Sequence, residues 1–183
     1  MPMGKVRNIR EPRPWILTDY VLDQIPAQLV TIATTSPFGH EGVLGYLNHT
    51  LNLILDRLGE EITGERGERI LISTQGRWKA PWVLLYGMGP REELSLEIME
   101  KELLKLDQDL RALNMEPVAF LLPGYSPYRW GSPVESAQLL VDTISRPGLI
   151  VNPDREILHK IHYRVKGYFN YMLRDQPKPS MAK

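Results

Sequence analysis

Gly87-Met88-Gly89 follows the apolar run Trp82–Tyr86 and precedes Pro90, two acids and a long amphipathic stretch. A strand that ends in a glycine turn and feeds a helix can cradle phosphate, because the first amides of a helix are unpaired and lie at its positive end. Here the pattern is incomplete. It has neither the third glycine of a dinucleotide fingerprint nor the Lys-Ser/Thr of a P-loop. Glu92 and Glu93 are expected in the first turn of the following helix, where they would stabilise its positive end and repel an anion. The spacing therefore predicts a tight strand-to-helix corner, with phosphate binding as the alternative.

His159 and His162 stand three apart in the last helical pattern, a spacing that can turn two imidazoles toward one metal. No third ligand is evident in the sequence, and together with Arg155 and Lys166 the pair reads as a solvated basic face. His40 falls in a glycine-flanked loop and His49 within a helical pattern, and both are expected at the surface. The chain has no cysteine, which excludes disulfides, thiol nucleophiles and thiolate metal sites. It contains no G-x-S-x-G, S-x-x-K or H-E-x-x-H motif, and no resident cofactor is expected. The segment 124–132, "GYSPYRWGS", brings together Tyr125, Tyr128, Arg129 and Trp130. These residue types are enriched in protein interfaces and serve equally as loop anchors.

The elements that position these groups follow from periodicity. "AQLVTIAT" (27–34), "RILIST" (69–74), "WVLLYG" (82–87) and "PVAFLLP" (117–123) read as strands, with a further short one at 149–151. Val43, Leu47, Leu51, Ile54 and Leu58 recur at helical spacing up to Gly59, which predicts one helix over 43–58. Leu96, Met99, Leu103, Leu106, Leu110 and Leu113 form a heptad-like seam. Leu94, Ile98 and Leu104 widen it into a stripe suited to lying on a sheet. Ser132 and Pro133 open a helix through 144, and Asn152 and Pro153 repeat that chemistry before a helix over 153–173. That last helix carries Tyr163, Tyr168, Phe169 and Tyr171, more aromatic surface than one buried face needs. Strands alternating with helices predict an α/β fold, a mixed sheet of five or six strands covered on both faces. The expected organisation is an arm over 1–14, an α/β domain over 15–149, an appended C-terminal helix over 150–175 and a tail over 176–183.

Composition bounds the partners. Of 183 residues, 43% are hydrophobic and 24% charged, ordinary for a globular protein. Twenty-two basic residues balance twenty-two acidic ones, so no global field draws nucleic acid or anionic membrane. No apolar run approaches the ~18 residues of a membrane span, and "MPMGKVRNIREPRP" has no apolar core of the kind a secretion signal needs. A cytoplasmic protein is the expectation.

From 26 to 144 the order of features resembles the N-terminal domain of the M17 leucyl aminopeptidases. The pieces that carry the resemblance are "PAQLVTIAT", "GVLGYLNHTLNLILDRLGEEITGERGERILI", "APWVLLYGMGPREEL", "MEPVAFLLP" and "VESAQLLVDTI". It implies a macro-domain-like, three-layer α/β fold. In that family the metal ligands and the catalytic arginine belong to a C-terminal domain whose Asn-Thr-Asp-Ala-Glu-Gly-type signature does not occur here. The resemblance therefore implies a domain without peptidase chemistry.

Two functions fit. One is a non-catalytic protein that assembles with itself or with an aminopeptidase-like partner, through Tyr125, Tyr128, Arg129, Trp130, Tyr163, Tyr168 and Tyr171. The other is a macro-like domain that binds ADP-ribose or a related nucleotide. Its site is expected between loop 36–42 and turn 87–91, around Gly39, Gly42, Gly87, Met88 and Gly89, at the carboxyl ends of neighbouring strands.

Overall fold

β-branched and aliphatic runs build the sheet in a computed structural model that describes residues 12–39, 41–122 and 132–175. Seven strands form one sheet: β1 (Trp15–Thr18), β2 (Leu29–Ser36), β3 (Arg69–Ser73), β4 (Trp82–Pro90), β5 (Val118–Leu121), β6 (Leu149–Val151) and β7 (Phe169–Met172). Their order is β3-β4-β2-β5-β6-β1-β7. Every pairing is parallel except β3 with β4, so the sheet is mixed. The central strands are buried on both faces, as their unbroken apolar sequence requires. Val30, for example, lies between Val83 and Ala119 in the register and is fully buried.

Helices cover both faces. α1 (Val43–Thr50) and α2 (Ile54–Leu58) pack Leu44, Leu47 and Leu55 on one side, with Ile25, Ile32 and Val83. α3 (Leu96–Leu113), α4 (Pro133–Thr143) and α5 (Arg155–Arg164) pack Met99, Leu106, Leu140 and Ile161 on the other, with Leu29, Leu84 and Phe120. The result is the three-layer α/β arrangement expected, with seven strands in place of five or six. Among the described residues, no helix is long and apolar enough to cross a membrane.

Four local expectations are corrected. The helix read over 43–58 breaks, because Asn52 and Leu53 adopt positive φ of 62° and 60°. The buried Asn48 side chain then accepts from the amides of Leu55 (2.9 Å) and Asp56 (3.3 Å) and starts α2 afresh. The helix read over 153–173 stops at Arg164, and Phe169–Met172 joins β1 as an edge strand. The segment 150–175 therefore completes β6, covers one face of the sheet with α5 and adds β7 to the sheet edge. Asp154 caps α5, with Asn152 Oδ1 accepting from the Asp154 amide at 2.9 Å. Finally, Gly87-Met88-Gly89 makes no corner: β4 runs through it to Pro90, and α3 starts only at Leu96 under a Ser95 cap. Glu92 and Glu93 sit in a 3-10 turn (Arg91–Glu93) outside that helix.

Candidate functional site

In parallel sheets, ligand clefts open outside the carboxyl ends of the strands, where the connections diverge to opposite faces. Here such a cleft is a cavity of about 260 Å³. Leu121 and Val151, the last residues of β5 and β6, form its floor. Tyr20, Val21 and Leu22, just after β1, form one wall, and Gly42, Val43 and Tyr46, at the start of α1, form the other. Its lining is mainly aliphatic with two tyrosines, the mixture typical of small-molecule sites.

Its electrostatics differ from those of the starts of α3, α4 and α5. Ser95, Ser132 and Asp154 cap α3, α4 and α5, and Glu97, Glu135 and Glu156 stand in their first turns. α1 opens at Gly42 with no side-chain cap and no acid in its first turn. Neither a cap nor a first-turn acid occupies the positive end of α1 where Gly42 lines the cavity, which favours an anionic group there. The acids nearby are Glu41, one residue before Gly42, and Asp23, bonded to Tyr46. Tyr46 donates through its hydroxyl to Asp23 Oδ1 at 3.0 Å. Burial raises the Tyr46 phenol above its usual range and the Asp23 carboxylate raises it further, so Tyr46 remains a neutral donor.

The 19–24 turn is held from below. Asp19, 1% exposed, accepts from Arg155 Nε at 2.7 Å and from the Arg174 amide at 2.8 Å. Burial pushes its carboxyl up, but the hydrogen bonds and charges of Arg174 and Arg155 outweigh it and hold the group below its ordinary 3.8. Thr18 Oγ1 accepts from the Tyr20 amide at 3.2 Å, and the Asp23 carbonyl accepts from the Lys79 amide at 2.9 Å.

Of the glycine-loop candidates, Gly42 lines this cavity and Gly39 lies in the loop before it. Gly87, Met88 and Gly89 lie elsewhere, beneath the segment 62–68. The Gly87 amide donates to Glu68 O (2.9 Å) and the Gly89 amide to Gly64 O (3.0 Å), while Met88 is fully buried. Arg66 clamps the segment through Glu93 at 2.9 Å, and Ser36 Oγ donates to Glu65 Oε1 at 2.9 Å. A Cβ at Gly87 would lie 1.9 Å from Glu65 O, and one at Gly64 would lie 2.1 Å from Thr35 O. These glycines let two backbones touch, and the amides of Gly87 and Gly89 are already taken.

The histidine stripe is also resolved differently. Arg155 leaves it to bind Asp19. His159 Nδ1 lies 3.2 Å from the Tyr171 hydroxyl, and the His162 ring stacks on Tyr171 at 5.2 Å between centroids. Tyr163 and Tyr168 are 82% and 53% exposed, whereas Phe169 is buried against the core. No group of three or more His, Cys, Asp or Glu residues suited to a metal occurs among the described residues. Tyr125, Tyr128, Arg129 and Trp130 lie outside the described residues. Sequence reasoning missed Tyr20, Val21, Leu22, Val43, Tyr46, Leu121 and Val151 as cleft residues. Reading Trp15–Thr18 as a strand would have flagged "DYVLD" as a strand-end loop.

No protein-family model and no curated protein sequence matches the chain. Solved structures do. A mutant of tomato leucine aminopeptidase superposes with a TM-score of 0.58 at 19% identity, covering 83% of this chain and 35% of that one. The chain thus spans about a third of the aminopeptidase. A mutant macrodomain of Oceanobacillus iheyensis, solved with ADPR (ADP-ribose), gives 0.59 at 17% identity over 80% of this chain and 88% of that one. The macrodomain of Mycobacterium tuberculosis DarG gives 0.61 at 13% identity, covering 78% and 100%. Identities this low establish the fold alone: the chain has a macro-like α/β fold.

Proposed function

We propose that this chain is a macro-like domain that binds ADP-ribose or a related nucleotide in the cleft between the 20–22 turn and the start of α1, without cleaving it. The observation that carries the reading is the start of α1 at Gly42, uncapped and without an acid in its first turn, on the rim of a largely apolar cavity. A diphosphate suits the helix end and a base or ribose suits the aliphatic and tyrosyl walls. The macro-like fold, shared with a protein solved with ADPR, supports the same choice. Isothermal titration with ADP-ribose tests it, with one-to-one binding expected. Val21 is 44% exposed on the cavity wall. Val21→Glu, which places a carboxylate there without disturbing the core, is expected to weaken binding about tenfold, or ~1.4 kcal/mol. Absence of heat at millimolar ADP-ribose overturns the proposal.

A second reading, assembly with a protein partner, draws on the exposed Tyr163 and Tyr168 beside β7. Under it, Tyr163→Ser together with Tyr168→Ser abolishes co-purification of an aminopeptidase-like partner from native cells. Unchanged recovery of the partner removes that reading.

A further inference from the structure

The outer edge of β3 is unlike the rest of the sheet. Strand edges present a row of unpaired backbone groups, and proteins ordinarily blunt them with charged side chains, proline, bulges or a covering element. β3, Arg-Ile-Leu-Ile-Ser, ends the strand order with no proline or bulge, and its one charge, Arg69, is paired with Asp109 on the α3 face. The Gly87 amide donates to Glu68 O and the Thr74 amide donates to Pro81 O. Antiparallel alternation then fixes the rest: residues 68, 70, 72 and 74 bond inward to β4, and the backbones of Arg69, Leu71 and Ser73 face outward. No backbone bond among the described residues reaches them. Their side chains share the α3 face, where Leu71, 41% exposed, joins Leu84, Ala112 and Leu113 around a shallow cavity of about 340 Å³.

The geometry points to a symmetric dimer in which β3 of one copy pairs antiparallel with β3 of a second copy, centred on Leu71. The outward groups are symmetric about that residue. Leu71 opposes Leu71 of the second copy and Arg69 opposes Ser73, each pair exchanging both hydrogen bonds. The two Leu71 side chains meet on one face, each beside the other's open cavity. The charge pattern permits it. Arg69 faces an uncharged serine, and its guanidinium is already neutralised by Asp109 at 2.6 Å. The opposite edge fits less well: Trp15 donates to Tyr168 O, so β7 turns only the backbones of Phe169 and Tyr171 outward.

Sedimentation equilibrium and cysteine cross-linking on the full chain test the dimer. The wild type is expected to sediment as a dimer. Leu71→Lys, which opposes two ammonium groups at the axis, and Leu71→Pro, which removes an outward donor that β4 does not use, are expected to sediment as folded monomers with the far-UV circular dichroism of the wild type. They are expected to melt lower only by the stabilisation that the dimer supplied. Because the chain has no cysteine, Leu71→Cys supplies one thiol per copy at a Cα separation of about 5.5 Å, within disulfide reach. It is expected to oxidise to a covalent dimer. Arg69→Cys, whose two copies would stand roughly 14 Å apart at ~3.4 Å per residue, is expected not to. A monomeric wild type overturns the inference. So does a dimer that survives both Leu71 variants, or cross-linking by Arg69→Cys as fast as by Leu71→Cys.

Discussion

Single residues in this fold separate backbone contact from ligand contact. Gly87 is glycine because Glu65 O occupies the place of a Cβ. Gly87→Ala must push the 62–68 segment off β4, a cost of about 3 kcal/mol or more in urea unfolding. Gly59 has open space around it but a φ of +53°, so Gly59→Ala is expected to cost only about 1 kcal/mol. Equal losses at the two positions would refute the close-contact explanation. Asp19 is the other decisive residue. Its carboxyl titrates lower folded than unfolded, so its contribution to stability is complete above the ordinary value of 3.8 and disappears as pH falls through the lower folded value. Asp19→Asn should cost about 2–3 kcal/mol at neutral pH, because it removes the buried carboxylate that Arg155 and Arg174 share and leaves Arg155 only the exposed Asp175. The difference from wild type should shrink progressively below pH ~4. A difference independent of pH would show that the charge is not what matters.

At the level of elements, strong periodicity was legible and irregular backbone was not. The seam Met99, Leu103, Leu106 and Leu110 is buried on the sheet as its spacing implies, while Leu96 and Leu113 at the helix ends remain 40% and 36% exposed. Ser132 caps α4 in a full capping box with Glu135, readable from the sequence because the chemistry is local. Three features were hidden. β1 is four residues long and follows a proline-rich stretch, so it gives no alternation to read. β7 follows α5 after four residues, and its aromatic positions mimic a continuing helical face. The break between α1 and α2 depends on a buried Asn48 side chain reaching Leu55, a contact that apolar periodicity does not encode. Asn48→Ala removes both acceptor contacts at the start of α2 and is expected to cost about 1–2 kcal/mol. Hydrogen exchange should place the loss in 51–58, and uniform loosening of the whole domain would contradict the capping role.

For the whole molecule, the sheet order decides where a ligand can go. Parallel β5, β6 and β1 lie side by side with their carboxyl ends together, and α1 starts across the gap from the 20–22 turn. Strand-by-strand reading supplied the loop containing Gly39 and Gly42 but paired it with 87–91, since β4 is the sheet neighbour of β2. The segment 62–68, legible only as a turn, fills that space. The cleft therefore lies on the β1 side of β2. Amide-resolved NMR titration with ADP-ribose tests this most directly. Saturable shifts are expected at Tyr20–Leu22 and at Gly42–Tyr46, with the amides of Gly64, Gly87 and Gly89 unmoved. Shifts confined to 62–68 and 87–89, or none at millimolar ligand, would contradict it.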